Sequence, residues 1–508
     1  MRSILIIIAL LLGSFVRGQI DPRVASEFFK KGNYVMAIPE YQTLLKGDRE
    51  SPEFNMNLGI CYLETNINPK FALSYLEKAV EHEKVDDEAF YYLARAYMIH
   101  SEYEKAIEQL KEYMNRSSKM EEEAKKAMVD CQFAIEQMKD PLNLTYENMG
   151  PNINSEFPDY YPFIKGDETL LAYTTRRKER QAVLEYDGYY SSQVYMTEFD
   201  GKGFSPAQEA NGINSKYNEQ CTGFTLDGEL MILYSDMKPG IDIYTVDVNG
   251  TRLGRKQDLE PILDPKQLES AATISPDRSI IIFSTDKKGS IGKLDLWMVR
   301  KLPNGEWGLP YNLGEQINTT GSEDFPSFSP DGKTLYFSSE GHPGMGGFDL
   351  YKVEWDPETA EFGTPENLGY PLNTGMDDRS ISFANDQKHA YISTVREGGE
   401  GDLDIYRVTF NTVEVRPALF DIKLVVEMDD STKTYVDADF LSVYDANDEM
   451  IGDYRPNDEH SYTIILNPGT YRLEIDHGGE FYVEELVVHE FMNRMGTITK
   501  LITLGDKP

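Results

Sequence analysis

SPDGKTLYFSS, Ser329 to Ser339, joins an Asp-Gly turn to a short strand of aliphatic and aromatic residues. It is the clearest of five copies of one phrase. The others are KGDETLLAYTT at Asp167, LDGELMILYSD at Asp227, SPDRSIIIFST at Asp277 and ANDQKHAYIST at Asp386, so the turn aspartates are spaced 60, 50, 54 and 55 residues apart. A second landmark, the aromatic closing the next strand, falls at Tyr195, Tyr244, Trp297, Tyr351 and Tyr406, spaced 49, 53, 54 and 55. Repeats of this length, built of period-2 strands and turn signals, predict propeller blades, because one small sheet cannot bury both of its faces alone.

A third landmark precedes four of the innermost strands: NINS (Asn152 to Ser155), GINS (Gly212 to Ser215), QINT (Gln316 to Thr319) and PLNT (Pro371 to Thr374). The outer-strand phrases WGLPYNLG (Trp307 to Gly314) and FGTPENLG (Phe362 to Gly369) are echoed by NLTYENMG, Asn143 to Gly150, which lies before the first copy. The fifth copy lacks an outer strand of its own. The expectation is that Leu144 to Met149 supplies it, closing a five-bladed ring without an open edge.

The chain has 508 residues, too many for one core, and three folded domains are expected. Arg2, the apolar run Ile4 to Leu12, and Val16 and Gly18 read as a secretory signal over residues 1–18, so the mature protein should be exported. No later apolar stretch is long enough to span a bilayer. Membrane association is then expected only through partners. The three cysteines, Cys61, Cys131 and Cys221, are too few for a disulfide scaffold, and Cys61 and Cys131 read as buried thiols. A formal net charge of -36 argues against nucleic acid and leaves solubility, a basic partner or divalent cations as readings of the acids.

Over residues 19–140 the period changes to 3.6. Ala37, Ala72 and Ala106 are each followed four residues later by a large side chain, Tyr41, Leu76 and Leu110, and Leu58-Gly59 with Tyr62 repeats as Leu93-Ala94 with Tyr97. This is the tetratricopeptide pattern of helical hairpins, its first copy degenerate at Ala25 and Phe28, with Lys119 to Met138 as a sealing helix. Tyr62, Tyr91, Tyr92 and Tyr97 are either a recognition stripe in a groove or packing between helices. After Phe410 the segments FDIKLVVEM, DFLSVYDA, SYTIILNPGTYRLEID and FYVEELVVHE alternate again, which predicts a small β-sandwich over residues 412–508. The fold class expected is therefore multidomain: an all-α solenoid at 19–140, a five-bladed all-β propeller at 141–411, and the sandwich.

Catalytic signals are missing from the sequence. His489-Glu490 lacks the second histidine of a zinc-protease helix and falls in a strand, and no GxSxG elbow is present. The loops GHPGMGGFDLY and REGGEGDLDIY lead into strands, so they read as tight turns rather than phosphate cradles. Asp159, Glu219, Glu269, Asp324 and Asp378, just before the innermost strands, either cluster at a channel mouth for a cation or basic peptide, or cap their own turns.

The blade phrase resembles TolB-type propeller repeats, and LNPGTYRLEI with Val443-Tyr444-Asp445 resembles the hairpin of carboxypeptidase-regulatory-like, transthyretin-like domains. Tetratricopeptides, a TolB-like propeller and that sandwich, in this order, are similar to the PorE-like family of Bacteroidetes envelope proteins that serve type IX secretion and gliding. The resemblance implies a non-enzymatic periplasmic scaffold at the outer membrane, partnered by proteins of that membrane or of the secretion complex and carrying no cofactor. The family's OmpA-like peptidoglycan-binding domain has no counterpart before Pro508, so direct cell-wall anchoring is not expected. The alternative reading is a module that binds a glycan, peptide or small ligand; a propeller hydrolase is the weakest.

Overall fold

A computed structural model describes residues 21–200, 202–238, 241–259, 267–356, 359, 361–413, 417–429, 432–488 and 497–504. The expected signal segment and His489-Glu490 lie outside these residues. The chain forms a helical N-terminal region followed by a large all-β region of many antiparallel sheets. Two compact units result, one reaching Cys131 and including Leu184–Tyr189, the other holding the rest.

Among the described residues, seven α-helices occupy the first region: α1 (Pro22–Lys30), α2 (Tyr34–Gly47), α3 (Pro52–Glu64), α4 (Ala72–Val80), α5 (Glu88–Ile99), α6 (Tyr103–Arg116) and α7 (Glu121–Gln137). Their starts are local chemistry. Asp21, Asn33 and Ser51 each accept a bond from a backbone N–H of the turn that follows, and Pro22 and Pro52 open α1 and α3 where no N–H is required. Ala37, Ala72 and Ala106 are fully buried, as are Leu76 and Leu110. At Gly59 an added Cβ would lie 2.5 Å from Leu76 Cγ, so glycine lets α3 and α4 close on each other. Among the described residues no helix is long and apolar enough to cross a membrane. All three cysteines are buried and free, and burial pushes the thiols of Cys61 and Cys131 up to about 12.

Five antiparallel sheets follow. The first runs Asp159–Ile164, Leu170–Thr175, Gln193–Glu198, Gln208–Glu209. The second to fourth begin at Glu219–Phe224, Glu269–Ile274 and Glu323–Phe328 and step outward in chain order. The fifth holds Ile381–Phe383, His389–Thr394 and Asp404–Phe410, and its outer strand comes from the other end of the region: Leu144–Asn148 pairs antiparallel with the last strand, Leu144 opposite Phe410 and Asn148 opposite Tyr406.

The apolar cores lie between sheets rather than within them. Ala172 and Met196 of the first sheet pack with Leu233 of the second, whose Ile232 packs with Phe283 and Trp297 of the third. Met298 meets Phe337 and Val353 of the fourth, whose Tyr336 and Leu350 meet Ile392 and Val408 of the fifth. Tyr391 and Ile405 then pack on Leu171 and Tyr173 of the first. Each buried Leu, Ile, Val, Met or Phe among them contributes about 1.5–3 kcal/mol, so every sheet depends on both neighbours.

Two further sheets enclose the core of Phe420, Ile422, Leu441, Val443, Tyr462 and Leu473. In one, Ala418–Asp429 pairs with Thr432–Val436, Ser461–Leu466 and, in parallel, Thr497–Leu504; the other orders Met450–Tyr454, Phe440–Tyr444, Gly469–His477, Glu480–Val488.

Candidate functional site

The recurring aspartates build the turns between the first two strands of each sheet. Asp167, Asp227, Asp277, Asp331 and Asp386 accept bonds of 2.9–3.1 Å from the N–H two residues on. The residue after each is left-handed: Gly228 and Gly332 at φ 70°, but Glu168, Arg278 and Gln387 at 58°, 59° and 51°. Asp-Gly is therefore the relaxed form of a turn that the other three copies hold under steric cost.

The segments before the innermost strands act as clasps. Asn154, Asn214, Asn318 and Asn373 each accept from the N–H and donate to the carbonyl of one residue in the preceding sheet: Ile405, Val194, Leu296 and Leu350 respectively. Each amide side chain imitates a β-ladder pair. The Asn154 clasp joins the fifth sheet to the first.

One residue later, Ser or Thr is tied to an acid four positions on. The backbone N–H of Ser155, Ser215, Thr319 and Thr374 donates to Asp159, Glu219, Glu323 and Asp378 at 2.7–2.9 Å, and their hydroxyls donate to the same carboxylates. Arg177 sits 3.0 Å from Asp159 and Lys256 sits 2.9 Å from Glu219. Burial pushes the carboxyls of Asp159 and Glu323 above the usual range, and that of Asp378 up to about 7. Glu269 is fully buried and accepts from Thr285 Oγ1 at 3.3 Å.

Asp324 requires a correction, because Glu323 occupies the turn position expected of it. The four-residue reach from Thr319 ends on Glu323, and a bulge between Asp324 and Ser327 turns the next side chain elsewhere. Asp324 instead accepts from Ser270 Oγ of the third sheet at 2.7 Å, and burial raises its pKa. Beside it, Tyr161 of the first sheet and Phe325 of the fourth bring their ring centroids to 4.1 Å. Both precede a proline and both are left-handed, at φ 52° and 48°. The parallel between Tyr161-Pro162 and Phe325-Pro326 was the sequence signal for this contact.

Asp159, Glu219 and Asp378 therefore each tie their own turn, Glu269 bonds Thr285 of the neighbouring strand, and Asp324 reaches Ser270 of the third sheet. Among the described residues, the His and acid side chains that come together at metal-like spacing are Glu168, Asp386 and His389. They satisfy one another and a cation: His389 Nδ1 is 2.5 Å from Asp386, Arg407 Nε is 2.8 Å from Glu168, and Tyr391 donates to Glu168. Against the upward push of burial, the hydrogen bonds from the ring and backbone of His389 hold the Asp386 carboxyl below the usual range. This network bridges the first and fifth sheets over 200 residues of sequence, so no local pattern announced it.

In the helical unit, Tyr62 and Tyr97 are buried packing residues. Tyr62 accepts from Gln42 at 2.8 Å and Tyr97 donates to Glu77 at 2.9 Å, each across helices. Tyr91 and Tyr92 are half-buried, their rings edge-on at 5.6 Å, with Arg95 5.9 Å from the Tyr92 ring and bonded to Glu64 at 2.5 Å. This partly exposed face combines aromatic area with a paired cation.

A tetratricopeptide-repeat family model matches residues 69–147. No curated protein matches the chain. Among solved structures, a protein of unknown function from Dyadobacter fermentans is similar at 12% identity over 49% of this chain and 75% of its own, with a TM-score of 0.32. An alpha-L-arabinanase from Penicillium chrysogenum complexed with arabinobiose aligns at 11% over 53% and 100%, TM-score 0.33. A gluconolactonase from Xanthomonas campestris aligns at 12% over 54% and 91%, TM-score 0.28. Likenesses this slight assign no activity.

Proposed function

We propose that the five sheets are the blades of a five-bladed propeller, and that the chain is an exported, non-enzymatic scaffold that docks protein partners through its helical unit. The observation that carries this reading is the Tyr91, Tyr92 and Arg95 face on a unit that matches the tetratricopeptide repeat. Repeats of that kind stack into surfaces for protein segments, and aromatic and arginine side chains are the residue types that concentrate binding energy. The sequence resemblance implies such a scaffold in the periplasm at the outer membrane, within or beside type IX secretion and gliding machinery, with the propeller and the sandwich as further contact modules.

The test is capture of a tagged copy from gently solubilised native envelopes, followed by mass spectrometry. Outer-membrane or secretion components in stoichiometric amounts support the reading. Recovery of the protein alone contradicts it.

A second reading is ligand binding by the propeller. Asp324 and Arg379, with Asp377 3.0 Å from the Arg379 guanidinium, gather charge near the Tyr161–Phe325 contact. It predicts that Asp324→Asn abolishes calcium or glycan binding without a large fall in melting temperature. Titration calorimetry with calcium and with soluble glycans decides it.

A further inference from the structure

Alpha2 and α4 are the second helices of successive hairpins, whereas Tyr91, Tyr92 and Arg95 lie on α5, a first helix. Between α2 and α4 is a cavity of about 400 Å³ lined by Lys46, Arg49 and Lys78 together with Gln42, Leu45 and Tyr75. Among the described residues, no carboxylate lines it. That composition runs against the chain as a whole, in which 86 acids outnumber 50 bases, and it concentrates positive charge at one spot.

The nearest acid is a rim group. Lys78 meets Glu50 at 2.7 Å, but the Glu50 side chain is 66% exposed, and an exposed pair of this kind is worth only about 0–1 kcal/mol. An incoming anion can replace it at little cost. The floor is firm: Leu45 is buried, and Tyr75 stacks on Tyr62 at 5.8 Å and 16°.

We infer that this cavity binds a carboxylate-rich segment of a partner protein. The inference rests on the scaffold reading and names the chemistry of one partner. Compact phosphates favour helix N-termini, where backbone N–H groups converge. Here α2 offers its C-terminal end, the negative pole of the helix dipole, which attracts no anion, so recognition falls to Lys46 of α2, Arg49 just beyond it and Lys78 of α4. Separated point charges suit several carboxylates along a peptide. At physiological ionic strength the Debye length is about 8 Å, so the acids elsewhere in the chain are screened while the cavity's cations touch the ligand.

The experiment measures fluorescence polarisation of fluorescein-labelled decaglutamate with the purified full-length chain. Expected is saturable binding that weakens with added salt and weakens at least about tenfold in the Lys46→Ala/Arg49→Ala/Lys78→Ala variant. Lys352→Ala, which removes a surface cation of the fourth sheet, should leave it unchanged. All three cations lie at the surface, and an unaltered circular-dichroism melt verifies the triple variant's fold. Binding that strengthens with salt, binding unaffected by the triple change, or no saturable binding overturns the inference. So does displacement of the peptide by inorganic phosphate at lower concentration than by unlabelled decaglutamate, which would mark a small-anion site. Failure here with an envelope partner still captured removes the acidic-segment inference and leaves the scaffold reading standing.

Discussion

The five-sheet region and the helical unit both repeat, yet they use their recurring polar and aromatic residues in opposite ways. In the sheets, the recurring Asn, Ser/Thr and acid side chains turn inward and bond the backbone of a neighbouring sheet or of their own turn. In the helical unit, recurring small residues hold the helices together, and Tyr91, Tyr92 and the α2–α4 cations remain in contact with solvent. Recurrence alone therefore does not mark a site. What decides is whether the repeated group already has its partner inside the fold.

The sharpest way to break this contrast is to remove a clasp. Asn318→Ala deletes two bonds to Leu296 and leaves a buried N–H and carbonyl unpaired, at about 1–3 kcal/mol for each group. The expected outcome is a loss of roughly 2–5 kcal/mol in urea unfolding of the sheet region. Tyr92→Ala, by contrast, should cost no more than about 1–2 kcal/mol, because that ring is only half buried. Equal losses from the two substitutions would erase the distinction.

Next comes Asp378. Its carboxyl is raised to about 7 in the fold by burial, against an ordinary value of 3.8. A raised folded-state pKa means that the contribution to stability is complete below about 4 and is lost as pH rises through 7. Asp378→Asn keeps an acceptor for the Thr374 N–H and removes the titration. Melting temperature measured from pH 4 to 8 should then fall less steeply in the variant than in the parent. Parallel curves would contradict the buried-acid account of this turn.

A smaller effect, of opposite sign, is expected at Gln387, left-handed at φ 51° where two sister turns carry glycine. Gln387→Gly should stabilise by about 0.5–1 kcal/mol in thermal unfolding, since the steric cost relieved exceeds the added freedom of the unfolded chain. Glu168 and Arg278 share the strain but also hold ion pairs, so the same change there should give less.

What the sequence made legible follows the range of the interaction. The aspartate turns are bonds across two residues, so their spacing alone exposes them. The strand that completes the fifth sheet was readable because Asn143 to Gly150 repeats an outer-strand phrase. The clasps were half visible: their motif recurs, but the residue that Asn154 grips, Ile405, lies 251 residues away. Asp324 was misplaced by one position because two acids stand side by side, and only the reach from Thr319 selects Glu323. Tyr62 and Tyr97 shared the spacing of an exposed stripe, and burial separates them from Tyr91 and Tyr92. The Glu168, Asp386, His389 and Arg407 network had no local signature, since its members meet only once the first and fifth sheets pack together.

The most direct test of the scaffold account is quantitative envelope capture with the parent chain, with Tyr91→Ala/Tyr92→Ala and with Asp324→Asn, all verified as folded. The account predicts a partner recovered in stoichiometric amount with the parent and with Asp324→Asn, and lost with the tyrosine pair. A partner kept by the tyrosine variant and lost with Asp324→Asn would move the working surface to the sheets and contradict it.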